Sequence, residues 1–262
     1  MDTICQWFLP ELDTLNIDRI VNLIIDIGNS RTKVAIFSPS DLIHSEVFKT
    51  FGIQKARHFI KKYDVDSCIL SNSGLVAANL INELSFIRQF IHFSEDTKLP
   101  IVNTYSTKAT LGNDRLAGAV GTLLYFPNGS TLKIDMGTCI TMDYLNRKLE
   151  FVGGNISPGI SMRLKSMHHF TAKLPLVDIR INEFIFGKTT TTAMQNGAVK
   201  GAFREIDSFI QGVWDEFGII NVILTGGDAI LFEKYTKNEI FVAPNLVLEG
   251  LNEILKYNAN KD

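Results

Sequence analysis

Two similar α/β lobes facing each other across a cleft are the architecture this sequence predicts, on three observations. Asp26 and Asp135 each sit near the end of an apolar run and open an Asp-x-Gly turn followed by a polar residue. Strand-like runs alternate with helical periodicities along the chain, as in α/β proteins. A length of 262 residues accommodates two domains of about 100 to 150 residues each. The expected bounds are 21–125 for the first lobe and 126–262 for the second, with 1–20 a dispensable N-terminal extension.

The first strand is expected over Val21 to Ile27, almost continuously apolar, and the second near Lys33 to Phe37 after the turn Gly28-Asn29-Ser30. Helices are expected over Gln54 to Tyr63 and Leu75 to Phe90, with a short buried strand at Ser67 to Ser71 between them. A helix over Arg115 to Tyr125 aligns Leu116, Ala119, Val120 and Leu123 on one face. The second hairpin begins at Thr131 to Asp135, turns at Met136-Gly137-Thr138 and returns along Cys139 to Tyr144, with a third strand at Leu149 to Val152. Beyond it are expected a Gly/Pro-rich loop at Gly153 to Gly159, a helix from Ile160 to about Phe170, and a long helix capped at Thr189 to Thr192 and running to about Phe217. A strand at Asn221 to Leu224 then enters the turn Thr225-Gly226-Gly227-Asp228.

Composition narrows the chemistry. Twenty-six basic and 28 acidic residues leave a net charge of -2, with no chain-wide attraction to nucleic acid or an anionic membrane. Three scattered cysteines, Cys5, Cys68 and Cys139, match no disulfide framework or zinc spacing, and a reduced, cytoplasmic setting is expected. No run approaches the roughly 20 apolar residues of a membrane helix.

The segment Asp26 to Lys33 puts a carboxylate at a strand end. Beyond it come a glycine that lets backbone amides approach an anion, hydroxyl donors and a lysine. Such a turn can cradle phosphate while its aspartate holds a hydrated magnesium ion, and it can equally be an ordinary Gly-Asn hairpin. It is not a Walker A loop. Asp135-Met-Gly-Thr138 is weak alone. Its recurrence on a second strand tip makes a two-sided clamp for nucleotide phosphates, with Asp135 for a cation and Thr138 for a phosphate oxygen. Thr225 to Asp228 can lay exposed backbone against an adenosine, or be a plain turn. Gly112-Asn113-Asp114-Arg115 opens a helix with a carboxylate in its first turn. Out of context that is a helix start, whereas in a phosphotransferase cleft Asp114 can take the proton of an attacking hydroxyl beside an arginine that grips substrate. His168-His169 lacks a third metal ligand in sequence and reads as helix surface or pocket wall.

Taken in order, Asp-x-Gly-Asn-Ser at 26–30, Gly-Asn-Asp-Arg at 112–115, Asp-Met-Gly-Thr at 135–138, Gly-Gly-Asn-Ile-Ser-Pro-Gly at 153–159, Thr-Ala-Lys-Leu-Pro at 171–175 and Thr-Gly-Gly-Asp-Ala at 225–229 resemble type III pantothenate kinase. The resemblance implies duplicated actin-like (ribonuclease H-like) lobes with mixed β-sheets flanked by helices, and ATP-dependent phosphorylation of pantothenate on the way to coenzyme A. It implies ATP binding by Asp26, Ile27, Gly28, Asn29, Ser30, Arg31, Thr32, Lys33 and Thr138. Asp114 becomes the catalytic base, with Tyr105, Gly112, Asn113 and Arg115 around pantothenate, and Asp135 the ligand of a potassium or ammonium ion alongside magnesium. Thr190 falls where the family reaches the neighbouring subunit's pantothenate, which implies a homodimer with shared sites. Asn113 replaces the family's usual alanine and Ser30 its commoner threonine. A retired, non-catalytic relative would not need Asp26, Asp114, Arg115 and Asp135 together. A sugar kinase of the same fold would carry a different aspartate-containing substrate segment.

Overall fold

The structure is a computed structural model in which residues 20–38, 41–73 and 78–259 are described. The expected extension over 1–20 lies outside them apart from Ile20. Eleven strands are described: β1 (Asn22–Ile27), β2 (Thr32–Phe37), β3 (Leu42–Phe48), β4 (Ser67–Asn72), β5 (Gln89–His92), β6 (Val102–Asn103), β7 (Thr131–Met136), β8 (Cys139–Leu145), β9 (Glu150–Pro158), β10 (Asn221–Thr225) and β11 (Phe241–Val242). The helices are α1 (Ile53–Tyr63), α2 (Ala78–Leu84), α3 (Asn113–Gly121), α4 (Ile160–His169), α5 (Thr190–Phe217), α6 (Ala229–Glu233) and α7 (Leu246–Ala259).

The strands form two mixed sheets, ordered β3-β2-β1-β4-β5 and β11-β10-β7-β8-β9-β6. In the first, β1 pairs antiparallel with β2 and parallel with β4. In the second, β7 pairs antiparallel with β8 and parallel with β10. Set side by side, β9-β8-β7-β10-β11 repeats β3-β2-β1-β4-β5 in order and direction, so the duplication hinted at by the two Asp-Gly turns is one of topology. Only β6, which extends the second sheet beyond β9, breaks the correspondence.

Each sheet is buried by the two-residue period of its strands. From β1, Leu23 and Ile25 enter one core with Ala56 and Phe59 of α1 and Leu80 and Leu84 of α2. Ile24 points the other way, into a core with α3 and α7. A strand covered on both faces has to be apolar almost throughout, which is why 22–27 reads as a continuous run. β7 divides differently. Leu132, Ile134 and Met136 pack against α4, α5 and α6. Lys133 and Asp135 take the opposite face.

Three expectations are corrected. The helix expected over Leu75 to Phe90 ends at Leu84, and Gln89–His92 is a strand parallel to β4, because pairing with that buried neighbour outweighs local helical periodicity. Residues 75–77 of that stretch are outside the described residues. The loop expected over Gly153 to Gly159 is mostly strand, since β9 pairs with β8 as far as Pro158. Its glycines serve close approach: a Cβ on Gly154 would run into the Met142 carbonyl and the Asp143 carboxylate. The helix expected over Arg115 to Tyr125 starts at Asn113 and tightens to a 3-10 turn at Thr122–Leu124. Absent from the sequence reading were the exposed edge strand β3, the two-residue β6 and β11, and α7. This last helix packs along α3 through Gly250 and Gly121, where a side chain would strike the Ala117 and Leu246 carbonyls. It also touches β1, β2 and β4, so the C-terminal helix lies on the first sheet.

Candidate active site

Both Asp-Gly turns are hairpin tips, and the fold points them at each other. Ser30 Oγ and Thr138 Oγ1 share a hydrogen bond of 3.1 Å although 108 residues separate them in sequence. Gly28 donates its backbone N–H to the Arg31 carbonyl (3.0 Å) and Gly137 to the Cys139 carbonyl (3.1 Å), closing each tip. Asn29, Ser30, Arg31 and Thr138 are exposed, whereas Asp26 and Thr32 are buried. The two hydroxyls thus stand at the solvent-facing ends of the tips, with the Asp26 carboxylate set behind them.

Asp26 has its pKa raised from 3.8 to about 6, first by burial and then by the charge of Asp114, with Lys33 pulling it down and Asp135 adding to the rise. Asp135 is raised as well, by burial, against the opposing fields of Lys133 and Lys33. Three carboxylates from three elements therefore act on one another across a small space, with Lys33 as a shared counter-charge. The strand-to-helix turn after β10 closes over the same place. Gly226 has φ +92°, and a Cβ there would lie 2.5 Å from Asp135 Oδ1. Asp228 donates its backbone N–H to the Met136 carbonyl (3.1 Å). All three glycine turns singled out in the sequence thus converge.

The motif Gly112-Asn113-Asp114-Arg115 forms the start of α3. Gly112 is the N-cap, in extended conformation, and Asp114 lies in the first turn of the helix. Its Oδ1 accepts the Arg115 backbone N–H at 2.9 Å. Asn113 turns away from the carboxylates and donates to the Phe93 carbonyl at 2.9 Å. Arg115 is buried and gripped from three sides. Its Nε donates to Asp143 Oδ1 at 2.7 Å, its Nη2 donates to the same oxygen, and its guanidinium lies 5.5 Å from the Tyr105 ring centroid and 5.7 Å from that of Phe151. Tyr105 therefore joins the site through Arg115, with its ring also against Gly153 (φ +151°).

Two further charged groups on this face escaped the sequence reading. Lys133, with a side chain 2% exposed, is the direct cross-strand partner of Asp143, and its Nζ lies 2.8 Å from Asp143 Oδ2. Burial works against its charge, but Asp143 and then Asp135 hold its pKa above the ordinary lysine value. The signal was present in β7, where the two-residue period that buries Leu132, Ile134 and Met136 sets Lys133 beside Asp135.

Thr190 stands apart. It is exposed in the first turn of α5, next to the Thr189–Thr192 capping box. Among the described residues no hydrogen bond joins it to Asp114, Arg115 or Tyr105. A cavity of about 640 Å³ runs beneath α3 and meets that motif at Asn113, but it is lined by residues such as Ser94, Asp96, Asn103 and Lys108 and by neither hairpin tip.

Magnesium and a monovalent ion are hard cations that take oxygen ligands. Asp26 and Asp135 offer such oxygens, and the space at Asp135 Oδ1 that a Cβ on Gly226 would fill stays open. The donor set fits. Among the described residues no group of three or more His, Cys, Asp or Glu is arranged as a metal site on its own, so ligands would have to come from phosphate and water too.

The description of the family type III pantothenate kinase matches residues 22–212. A type III pantothenate kinase of Cytophaga hutchinsonii is 38% identical over 240 residues, which cover 91% of this chain and 100% of that protein. Among solved structures, a protein of Campylobacter jejuni described as a Baf family transcriptional activator superposes with a TM-score of 0.57 at 22% identity, over 91% of this chain and 99% of that one. A Listeria monocytogenes protein described as an N-acetylmannosamine kinase gives 0.53 at 14% identity, over 92% and 100%. These two likenesses concern fold alone. The second sets the duplicated sheets beside those of a sugar-kinase-type structure.

Proposed function

The chain belongs to the type III pantothenate kinase family, phosphorylating pantothenate with ATP to 4′-phosphopantothenate at the start of coenzyme A biosynthesis, and from that premise we propose how its residues divide the work. The observation that carries the proposal is the meeting of the two hairpin tips at Ser30 and Thr138, with Asp26, Asp114 and Asp135 within reach of one another's charge. Phosphoryl transfer asks little covalent chemistry of a protein and much positioning and charge.

In this reading residues 26–33 and Thr138 hold the β- and γ-phosphates between the tips, through backbone amides, the two hydroxyls and Lys33. Gly226 and Gly227 offer backbone to the adenosine. Asp114 accepts the proton of pantothenate's primary hydroxyl as that oxygen bonds to the γ-phosphorus and the bond to the ADP oxygen breaks. Tyr105, Gly112, Asn113 and Arg115 hold the acceptor, Arg115 by charge and Tyr105 by its ring. When bound, magnesium at the Asp26 side and potassium or ammonium at Asp135 supply positive charge to the phosphates.

The working unit in this proposal is a homodimer whose sites are completed by Thr190 of the partner. Two features support it: Thr190 is exposed and makes none of those contacts within its own chain, and a run of apolar side chains is uncovered on the same lobe. Phe170, Phe186, Ile185, Leu176 and Ile156 are 80%, 82%, 67%, 61% and 61% exposed, apolar surface that a partner chain would cover. Division of the chain near residue 125 and a cytoplasmic setting belong to the same proposal. Among the described residues no helix is long and apolar enough to cross a membrane.

The test is ADP release with pantothenate, magnesium and potassium, with the product identified by mass. Turnover of pantothenate, and its collapse in Asp114→Asn, is the expected result. Equal turnover in Asp114→Asn removes the proposed base, and no stimulation by potassium or ammonium removes the assignment of Asp135.

A further inference from the structure

The face of β7 and β8 opposite the second core carries a charged cluster that the reaction as described does not use. Lys133 and Asp143 are opposite each other in the ladder, with side chains 2% and 1% exposed. Asp143 accepts from Arg115 Nε and Nη2 at Oδ1, while Lys133 Nζ stands 2.8 Å from Oδ2 as an ion pair and no hydrogen bond is made at that oxygen among the described residues. The lysine reaches its partner along α3, at a point where the helix has no side chain. A Cβ on Gly118 would stand 2.7 Å from Lys133 Cδ and 3.1 Å from Nζ. Space has been left for an ammonium group deep in the protein, one turn below Asp114.

Burying an ion pair is a poor way to gain stability, because desolvation offsets most of the attraction. A third charge changes what the group can do. Paired with Asp143 alone, Arg115 would be neutralised, and the acceptor side of the site would keep the orientation of the guanidinium without its field. Among Arg115, Lys133 and Asp143 one carboxylate shared between two cations leaves a net charge of +1, with Asp135 acting on the Lys133 end and Arg115 lying against Tyr105. The Arg115 fork also keeps its Nη1 hydrogens, and one on Nη2, clear of Asp143. We infer that Asp143 is the positioning residue that aims Arg115 at the acceptor, and that Lys133 is the internal counter-ion that lets Arg115 do so without losing its charge. Neither residue touches substrate. The ligand they serve is the anionic acceptor, through a guanidinium held rigid on one edge and charged on the other.

This rests on Arg115 being an acceptor ligand, and the experiment separates the two. Steady-state KM for pantothenate, KM for ATP and kcat are measured in Arg115→Gln, Asp143→Asn, Lys133→Met and the double variant Lys133→Met/Asp143→Asn, each checked for folding by thermal melt. Asp143→Asn frees Arg115 to wander, and Lys133→Met leaves Asp143 free to cancel it. Each single change should raise pantothenate KM roughly tenfold, within the range coupled neighbours show, with ATP KM little moved. The double variant removes one charge of each sign and restores the net +1. Its pantothenate KM should stay near that of Asp143→Asn instead of compounding the two losses, with ATP KM unmoved, a substrate-selective effect that general structural damage does not produce. A pantothenate KM raised in Arg115→Gln but unchanged in Asp143→Asn overturns the inference alone, as does a double variant at least as poor as the sum of the singles. An unchanged KM in Arg115→Gln overturns the reading beneath it as well. If a single variant does not fold, the comparison of the double variant with wild type decides, and a tenfold loss of ATP affinity there instead of pantothenate affinity counts against the inference.

Discussion

Asp114 and Asp26 show how differently two carboxylates of one site are held. Asp114, in the first turn of α3, is partly exposed and among the described residues its carboxylate accepts only the next backbone N–H, which suits the proposed role of taking a proton and giving it up. Replacing it with asparagine keeps the shape and removes the base, and kcat should fall by about a hundred- to ten-thousandfold with ATP KM nearly unchanged. Asp26 is enclosed. Its pKa of about 6 in the folded protein lies above the ordinary 3.8, so folding holds its proton more tightly than the unfolded chain does. Its contribution therefore favours the fold fully below about 3.8 and is lost as the pH rises through about 6. Above that pH the ligand-free protein carries an ionised buried carboxylate at a cost of up to about 3 kcal/mol. In the absence of nucleotide and metal, Asp26→Asn should melt higher than wild type at pH 8, with the gap closing towards pH 4. A gap that stays constant with pH would mean that Asp26 is not strained by its charge. Stability gained in this way should come with loss of kinase activity, since in the proposed division of work it is the ionised group that serves the phosphates.

At the scale of elements, the site is made of turns braced by strands. The turn after β10 is the most constrained, because Gly226 has a positive φ and stands against Asp135 and the Met136 backbone. Gly226→Ala would have to accept a backbone conformation costing about 1 to 3 kcal/mol and also push Asp135 aside. The expected outcome is a lower melting temperature together with a raised ATP KM and a weaker response to potassium, while pantothenate KM stays near wild type. Equal damage to both substrates would argue that the turn merely holds the lobe together. α5 shows the converse case, an element whose start is legible because its chemistry is local. Thr189 and Thr192 close a reciprocal capping box, as the run of threonines suggested.

For the whole molecule, the question is how many chains make one site. Among the described residues no hydrogen bond joins Thr190 to Asp114, and apolar side chains from Ile156 to Phe186 stand exposed. If each site takes Asp114 from one chain and Thr190 from the other, two defective variants should rescue each other. In a heterodimer of Asp114→Asn with Thr190→Ala, one site collects both defects and the other collects none. Mixing the two inactive proteins under exchange conditions should then restore activity towards one wild-type site per heterodimer, half that of a wild-type dimer, alongside a dimer by sedimentation. Activity no greater than the sum of the separate variants would place each site within a single chain.

Much of this was readable in the sequence because it depends on neighbours along the chain. The two hairpins, the helix start at Gly112, the long capped helix and the turn after β10 are each set by local periodicity, glycine and capping chemistry, and they appear at 22–37, 113–121, 131–145, 190–217 and 221–228, the helix expected over Arg115 to Tyr125 running from Asn113 to Gly121 instead. The order of the motifs was enough to name a family, since it lists which groups are present. What the sequence could not settle is what pairs across a distance. That Gln89–His92 joins β4 as a strand, that α7 returns from the chain's end to cover the first sheet, and that Arg115 meets Asp143 and Lys133 are outcomes of packing. Each is decided by which partner offers burial, a ladder bond or a counter-charge once both lobes exist. By itself the sequence determined the parts of a phosphate clamp and an acceptor motif. Only the tertiary structure decided that Ser30 and Thr138 close the clamp and that a buried lysine stands behind the arginine, because burial and charge are properties of what surrounds a residue in space.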